Sequence, residues 1–373
     1  MIAALFALPG AGQSTRALAQ DAAAAHAVAA DVKEVMLPVT VRDKHGKIVH
    51  DVTKDDFTLQ EDGRPQIVRS FAPETNLPLT IGLVVDTSRS QEKVLDAERN
   101  ASRSFLDQML VQPADKAFLI HFDRQVELLQ DVTSSHEKLR AALDLLQAAS
   151  DREHSNDPND PANSPSASDS HGSRTQLYDA VFLAANELMK KQQGRKVFII
   201  LSEGVDHGSK TYLESAIESA QRGDTLIYSI YFADTHRNDR ENRDNGMGRG
   251  GGYPGGGGYP GGGYPGGGYP GGGYPGGGRG GRGGQRRDEV PGTDGKKILQ
   301  RISKETGGRF FEASKKETVG EIYDSIVEEL RAQYALAYIP DKDSTASGYH
   351  HVQLTVKKKD LTVQTREGYY ADR

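Results

Sequence analysis

The sequence predicts an α/β fold. The expected architecture is a mostly parallel six-stranded sheet with one antiparallel edge strand and helices on both faces, plus a small β-sandwich-like unit from the N- and C-terminal segments. Three observations lead there. Apolar runs of strand length alternate with helix-period stretches between Leu79 and about Gln333. One short run, "VELLQ" at 126–130, is reached through Asp123-Arg124-Gln125 alone, and so short a link permits only an antiparallel hairpin. On either side of this region the pattern reverts to β.

Residues 1–30 open with an apolar run, Ile2 to Leu8, and reach Ala17-Leu18-Ala19 before Gln20, which fits a small-residue cleavage site after a secretory signal. The basic residues usual at the start of such a signal are missing. The expectation is a secreted, periplasmic or cell-surface protein. From 31 to 75 the chain reads as β: Val35, Leu37, Val39 and Val41 alternate, "DKHGK" supplies a turn, and "FTLQEDGRPQIVRSF" is a hairpin turning at Asp62-Gly63.

The central unit, 76–332, places strands at 79–85, 117–122, 126–130, 196–201, 225–232 and 309–312. Helical spacing links Val94, Ala97, Ala101, Phe105 and Met109, then Leu139, Ala142, Leu143 and Leu146, then Leu177, Val181, Ala184 and Leu188. It returns at Leu213, Ile217 and Ala220, at Ile298, Leu299 and Ile302, and at Val319, Ile322, Ile326 and Leu330. From 333 to 373, "YALAYIP", the alternating Val352, Leu354 and Val356, and "LTVQT" give three strands. With four before the central unit this makes about the seven a small sandwich needs. The two ends are expected to fold together, the alternative being two separate β appendages.

Two insertions interrupt the central unit. Residues 150–173 are almost free of large apolar side chains and are expected to be disordered. Residues 235–293 carry five Tyr-Pro pairs in Gly-rich repeats and end in "GRGGRGGQRR"; the period excludes a collagen helix and the glycine content a packed core.

Composition removes several function classes. A formal net charge of −6 gives no reason to expect nucleic acid as partner of the whole chain. The absence of cysteine excludes disulfides, thiolate zinc sites and cysteine nucleophiles. No further segment reaches membrane-spanning length.

Chemistry concentrates where the first central strand ends. In "LTIGLVVDTSRSQEKV", Asp86, Ser88 and Ser90 follow an apolar run, at the carboxyl edge where open parallel sheets bind ligands. One carboxylate and two hydroxyls on a loop suit a hard cation such as Mg²⁺. Alone, the motif reads first as ordinary helix caps. Two other segments deliver oxygen to the same edge: Thr175 in "GSRTQLYDAV", at a helix start, and Glu203 in "FIILSEGVDHGS", just past a strand.

With these segments the sequence resembles the von Willebrand factor type A domain, whose metal-ion-dependent adhesion site uses D-x-S-x-S, a later threonine and an acid after the fourth strand. The wider match, through "LIHFDRQVELLQDVTSS", "LYDAV", "MKKQQGRK" and "GVDHGSKT", is to the VWFA-related acidobacterial domain family and covers about 79–332. The resemblance implies that Asp86, Ser88, Ser90, Thr175 and Glu203 hold Mg²⁺, with Mn²⁺ or Ca²⁺ as alternatives. It also implies that the site binds rather than transforms, accepting an Asp or Glu from a protein partner. Glu203 departs from the family's usual aspartate, and its extra methylene puts the carboxylate within direct reach of the metal. Arg89 replaces the usual glycine and adds positive charge at the rim.

Other candidates read more simply. His121 lies inside an apolar strand and is expected to be a hydrogen-bonded core residue. His207 with Asp206 and Ser209 reads as a loop with a helix cap. Asp123 and Asp179 are expected to hold turns and helix starts. No nucleotide loop, acid-base carboxylate pair or nucleophile triad emerges, so an enzyme is not expected. The rival reading is an interaction protein working through the Gly-Tyr-Pro and Arg-Gly arm, on surfaces or single-stranded nucleic acid, with the α/β unit as a metal-free holder.

Overall fold

The computed structural model describes residues 34–74, 77–148, 175–233, 294–341 and 347–371. The signal-like N-terminus and both insertions lie outside the described residues. In chain order the strands are β1 (Val35–Asp43), β2 (Phe57–Glu61), β3 (Arg64–Gln66), β4 (Val68–Pro73), β5 (Leu79–Asp86), β6 (Lys116–Phe122) and β7 (Val126–Thr133). They continue with β8 (Arg195–Ser202), β9 (Thr225–Phe232), β10 (Phe310–Ala313), β11 (Tyr334–Tyr338), β12 (Gly348–Val356), β13 (Leu361–Gln364) and β14 (Gly368–Ala371).

The two ends of the chain build two antiparallel sheets together, in the orders β13-β1-β11-β4 and β14-β12-β2-β3. Alternation explains the arrangement: Leu37, Val39, Phe57, Leu59, Leu336, Val352 and Leu354 point inward and form one shared core. The C-terminal part contributes four strands rather than the expected three. The additional one, β14, has four residues and no alternating pattern to reveal it. Asp62 and Gly63 both have positive φ (49° and 77°), the two-residue hairpin turn that an Asp-Gly pair favours.

The central sheet runs β10-β9-β8-β5-β6-β7, parallel throughout except for β7, which is antiparallel to β6. Successive residues of β5 serve opposite faces: Ile81, Leu83 and Val85 join one core and Val84 the other. On the first face lie α1 (Leu95–Met109), α2 (His136–Asp144) and, much later in the chain, α6 (Val319–Arg331). On the second lie α3 (Leu177–Leu183), α4 (Leu213–Arg222) and α5 (Gly295–Thr306). Gly82 is required by packing, since a Cβ there would stand 2.4 Å from the Phe118 ring and 2.7 Å from Phe198. This is the von Willebrand factor A-like architecture that the sequence implies.

Chain order reverses between β5 and β8, so the crevice outside their carboxyl ends is the sheet's switch point. The sandwich is fastened to the central unit near the C-terminal end of α6. There the buried Glu329 accepts from Arg42 of β1, from the Tyr228 hydroxyl at 2.8 Å and from Gln364 Nε2 at 2.7 Å. Among the described residues no helix is long and apolar enough to cross a membrane.

Candidate metal centre

The register of β5 against β8 pairs Val85 with Leu201, which sets Asp86 beside Ser202 at the switch point. Asp86 is fully buried. The Ser202 hydroxyl donates to its Oδ2 at 2.7 Å, and the Ser88 amide donates to its Oδ1 at 2.9 Å. Beyond it the backbone makes one short 3-10 turn, Arg89–Gln91, before α1, and this turn brings the two serines side by side. Their hydroxyl oxygens are 3.0 Å apart, and Ser90 Oγ donates to Glu203 Oε1 at 2.7 Å. Asp86, Ser88, Ser90 and Glu203 are thus joined in one hydrogen-bonded chain. Glutamate's length matters here: its carboxylate reaches the serine pair.

Thr175, also buried, is placed on the same edge by backbone bonds. Its carbonyl accepts from the His207 amide at 3.0 Å, and the next amide, of Gln176, donates to the Asp123 carbonyl at 3.0 Å. The threonine therefore sits between the loop that carries Glu203 and the turn from β6 to β7. That loop is anchored onto α3 reciprocally. Asp206 Oδ1 accepts from the Tyr178 amide and the Ser209 hydroxyl, while Asp179 accepts from the Lys210 and Thr211 amides at the start of α4. Desolvation acts to raise the Asp179 carboxyl, but these bonds outweigh it and hold it below the ordinary range. Asp206, Ser209 and Asp179 are cap and turn residues, as their sequence context predicts. Asp123 accepts from the Gln125 amide and holds its turn. His121 is hydrogen-bonded as expected but half-buried rather than in the core: it bridges Thr87, just past β5, at 2.9 Å and Glu127 of β7 at 3.3 Å.

Three features of the edge escaped the sequence reading. Ser202, fully buried, links Asp86 to the Glu203 loop, because its hydroxyl also accepts from the Gly204 amide at 2.9 Å. Gly204 has φ +74°, and a Cβ there would lie 2.2 Å from the Gly295 carbonyl; one on Gly295 would lie 2.1 Å from the Glu203 carbonyl. Two glycines therefore let the Glu203 loop cross the start of α5. The third feature is Glu98 of α1, fully buried, with neither carboxylate oxygen hydrogen-bonded among the described residues. Its signal was legible: Glu98 shares the helical face of Ala101 and Phe105, where a charge is out of place.

The electrostatics follow from this crowding. Burial pushes the Asp86 carboxyl up to about 6 against the hydrogen bonds from Ser202 and Ser88, and the Glu203 carboxylate adds to the rise. Burial, then Asp86, pushes Glu98 well above its usual value. The hydrogen bonds to Asp86 come from neutral groups, and the Gln91 side-chain oxygen nearby on the chain is also buried and unmatched. An all-oxygen donor set with acids gathered in a desolvated crevice fits a hard divalent cation. Of the five side chains that the resemblance offers as ligands, hydrogen bonds join Asp86, Ser88, Ser90 and Glu203 directly, while Thr175 shares the edge through its backbone contacts.

No protein-family model and no curated protein matches the chain. Solved structures similar to it include proximal thread matrix protein 1 of the mussel byssus, at 13% identity over 71% of this chain and 49% of that one, with TM-score 0.43. The chain thus spans about half the length of the mussel protein. A second form of that protein, with a zinc-occupied MIDAS motif, matches at 14% identity over 71% and 48%, TM-score 0.42. The vWF domain of the type V pili tip protein Mfa5 from Porphyromonas gingivalis matches at 10% identity over 68% and 94%, TM-score 0.40.

Proposed function

We propose that the chain is a non-enzymatic, divalent-metal-dependent protein-binding module, an adhesion or scaffold protein that works outside the cytoplasm. Asp86, Ser88, Ser90, Thr175 and Glu203 hold the cation, Mg²⁺ by preference for a hard oxygen set, and a partner's Asp or Glu completes the site. When bound, the cation supplies the positive charge that draws that carboxylate in. The chain's own groups do the rest: Ser202 fixes the orientation of Asp86, the 3-10 turn aligns the two serines, and the crossing of Gly204 with Gly295 holds the Glu203 loop against them.

One observation carries this reading. The switch point gathers Asp86, Glu98 and Glu203, two of them fully buried, around the hydroxyls of Ser88, Ser90 and Ser202. Burial of the Asp86 carboxylate among neutral donors, and of Glu98 with no hydrogen bond among the described residues, is costly, and a divalent cation removes that cost. Calorimetric titration of the full chain with Mg²⁺ should show one site that Asp86→Ala abolishes while circular dichroism is unchanged. Capture of an acidic partner from the envelope fraction should vanish both in that variant and under chelation. Magnesium uptake that survives Asp86→Ala sinks the proposal.

A further inference from the structure

A second cluster stands in the sandwich rather than at the edge of the central sheet. Glu61 ends β2, Asp62 opens the following turn, and His350 lies in β12. One oxygen from each carboxylate and one nitrogen of the imidazole all fall within 4.8 Å of one another. We propose that Glu61, Asp62 and His350 form a separate site for a transition-metal dication of the Zn²⁺ class, one that staples the N-terminal strands to the C-terminal ones.

The strand pattern makes these residues anomalous. Along β2 the inward positions are Phe57, Leu59 and Glu61; along β12 they are His350, Val352 and Leu354. A carboxylate and an imidazole therefore occupy core positions where alternation calls for aliphatic side chains. Glu61 is fully buried and His350 is 5% exposed. Buried polar groups in such places are expected to be fully matched, and Glu61 is not. Its Oε1 has no hydrogen-bond partner among the described residues and lies 3.6 Å from His350 Nδ1.

Each carboxylate has one oxygen held by the protein and the other turned toward the imidazole. Glu61 Oε2 accepts from the Tyr338 hydroxyl at 2.5 Å and the Tyr369 hydroxyl at 3.2 Å. Asp62 Oδ1 accepts from the His351 amide at 2.9 Å, and its Oδ2 is hydrogen-bonded to His350 Nδ1 at 2.8 Å, a contact that a bound ion would replace. The His350 ring is stacked on Tyr369, with centroids 5.4 Å apart. Ligand bonds of about 2.0–2.2 Å around a tetrahedral ion separate neighbouring ligand atoms by about 3.4 Å. The 2.8 and 3.6 Å separations bracket that value. An imidazole with two carboxylates favours zinc or a similar ion over magnesium, which prefers oxygen alone. The tyrosine hydroxyls and the His351 amide are the outer groups that orient metal ligands. The Asp62 side chain is partly exposed, which gives an ion a way in and leaves room for water as a fourth ligand.

The test uses the full chain carrying Asp86→Ala, so that uptake at the sheet edge does not interfere. Calorimetric titration with Zn²⁺ should show binding. Adding His350→Gln should weaken it by more than about 100-fold, beyond the loss that follows removal of an outer group. Adding Tyr338→Phe instead keeps all three ligands and should weaken it by about tenfold. Should His350→Gln unfold by circular dichroism, Asp62→Asn on the exposed side replaces it with the same expected loss. No zinc uptake by the Asp86→Ala chain overturns the proposal, as does an affinity that none of these changes alters. Magnesium uptake by the chain carrying His350→Gln alone reports separately on the sheet edge, so the two sites stand or fall independently.

Discussion

Two fully buried glutamates show how differently this molecule treats internal charge. Glu329, at the junction of sandwich and central unit, is surrounded by donors: Arg42, Tyr228 and Gln364 hydrogen-bond to it, and Arg309 stands 3.9 Å away. Glu98, beneath the sheet edge, has no hydrogen bond to either oxygen among the described residues, and its neighbour Asp86 is served by neutral groups. The fold itself neutralises the first. The second region is left in a state that favours protonation, which suits a place where charge is to be supplied from outside. A buried acid matched on all sides belongs to the architecture, whereas Asp86 and Glu98, with neutral donors or none among the described residues, suit the cation proposed for this edge.

The sharpest test of that contrast removes Glu329. Glu329→Ala strips two arginines and a buried tyrosine of their shared acceptor and should destabilise the chain by about 3–5 kcal/mol, read from urea unfolding. Magnesium affinity of the remaining folded protein should not change. A milder loss would mean that the junction is less well neutralised than its geometry shows.

The opposite sign is expected at the sheet edge. The folded-state value of Asp86 lies above its unfolded one, at about 6 against 3.8. Its contribution to stability is therefore fully present below pH 4 and is lost as pH rises through 6, a change of about 3 kcal/mol. Without metal, Asp86→Asn should flatten that part of the pH–stability profile and raise stability at pH 7.5, at the expense of magnesium binding. Stabilisation of the native chain by Mg²⁺ should be larger at pH 7.5 than at pH 4.5. A native profile that matches the Asp86→Asn profile from pH 4 to 7 would contradict this account of the site.

Much of this was legible in the sequence, and the reasons are local. Apolar runs such as Leu79–Val85 and Val197–Leu201 leave no alternative to buried strands, and the three-residue link before Val126 forces an antiparallel pair. Asp86, Ser88, Ser90 and Glu203 were visible because each follows a strand end or starts a turn. Ser202 was not, since a serine closing a strand has no pattern of its own; its role appears only when β5 and β8 lie side by side. Gly204 and Gly295 are 91 positions apart in numbering, and their need for small side chains comes from a crossing that no local pattern encodes. Glu61 and His350 broke alternation in plain view, but their pairing depends on the register that sets Val352 opposite Glu61.

The finest distinction at the sheet edge lies in a single methylene. Glu203 reaches Ser90 across 2.7 Å because its side chain is longer than the aspartate the resemblance leads one to expect. Glu203→Asp withdraws that carboxylate while keeping its charge, so the long-range electrostatics of the edge stay the same and only the direct approach is lost. Without metal the change should cost no more than about 1 kcal/mol, the worth of one partly exposed hydrogen bond. Magnesium affinity should fall by about tenfold, which corresponds to about 1.4 kcal/mol, measured by calorimetry on the full chain. An affinity equal to or tighter than the native one would mean that the acid acts through water, and that charge rather than reach is what Glu203 contributes.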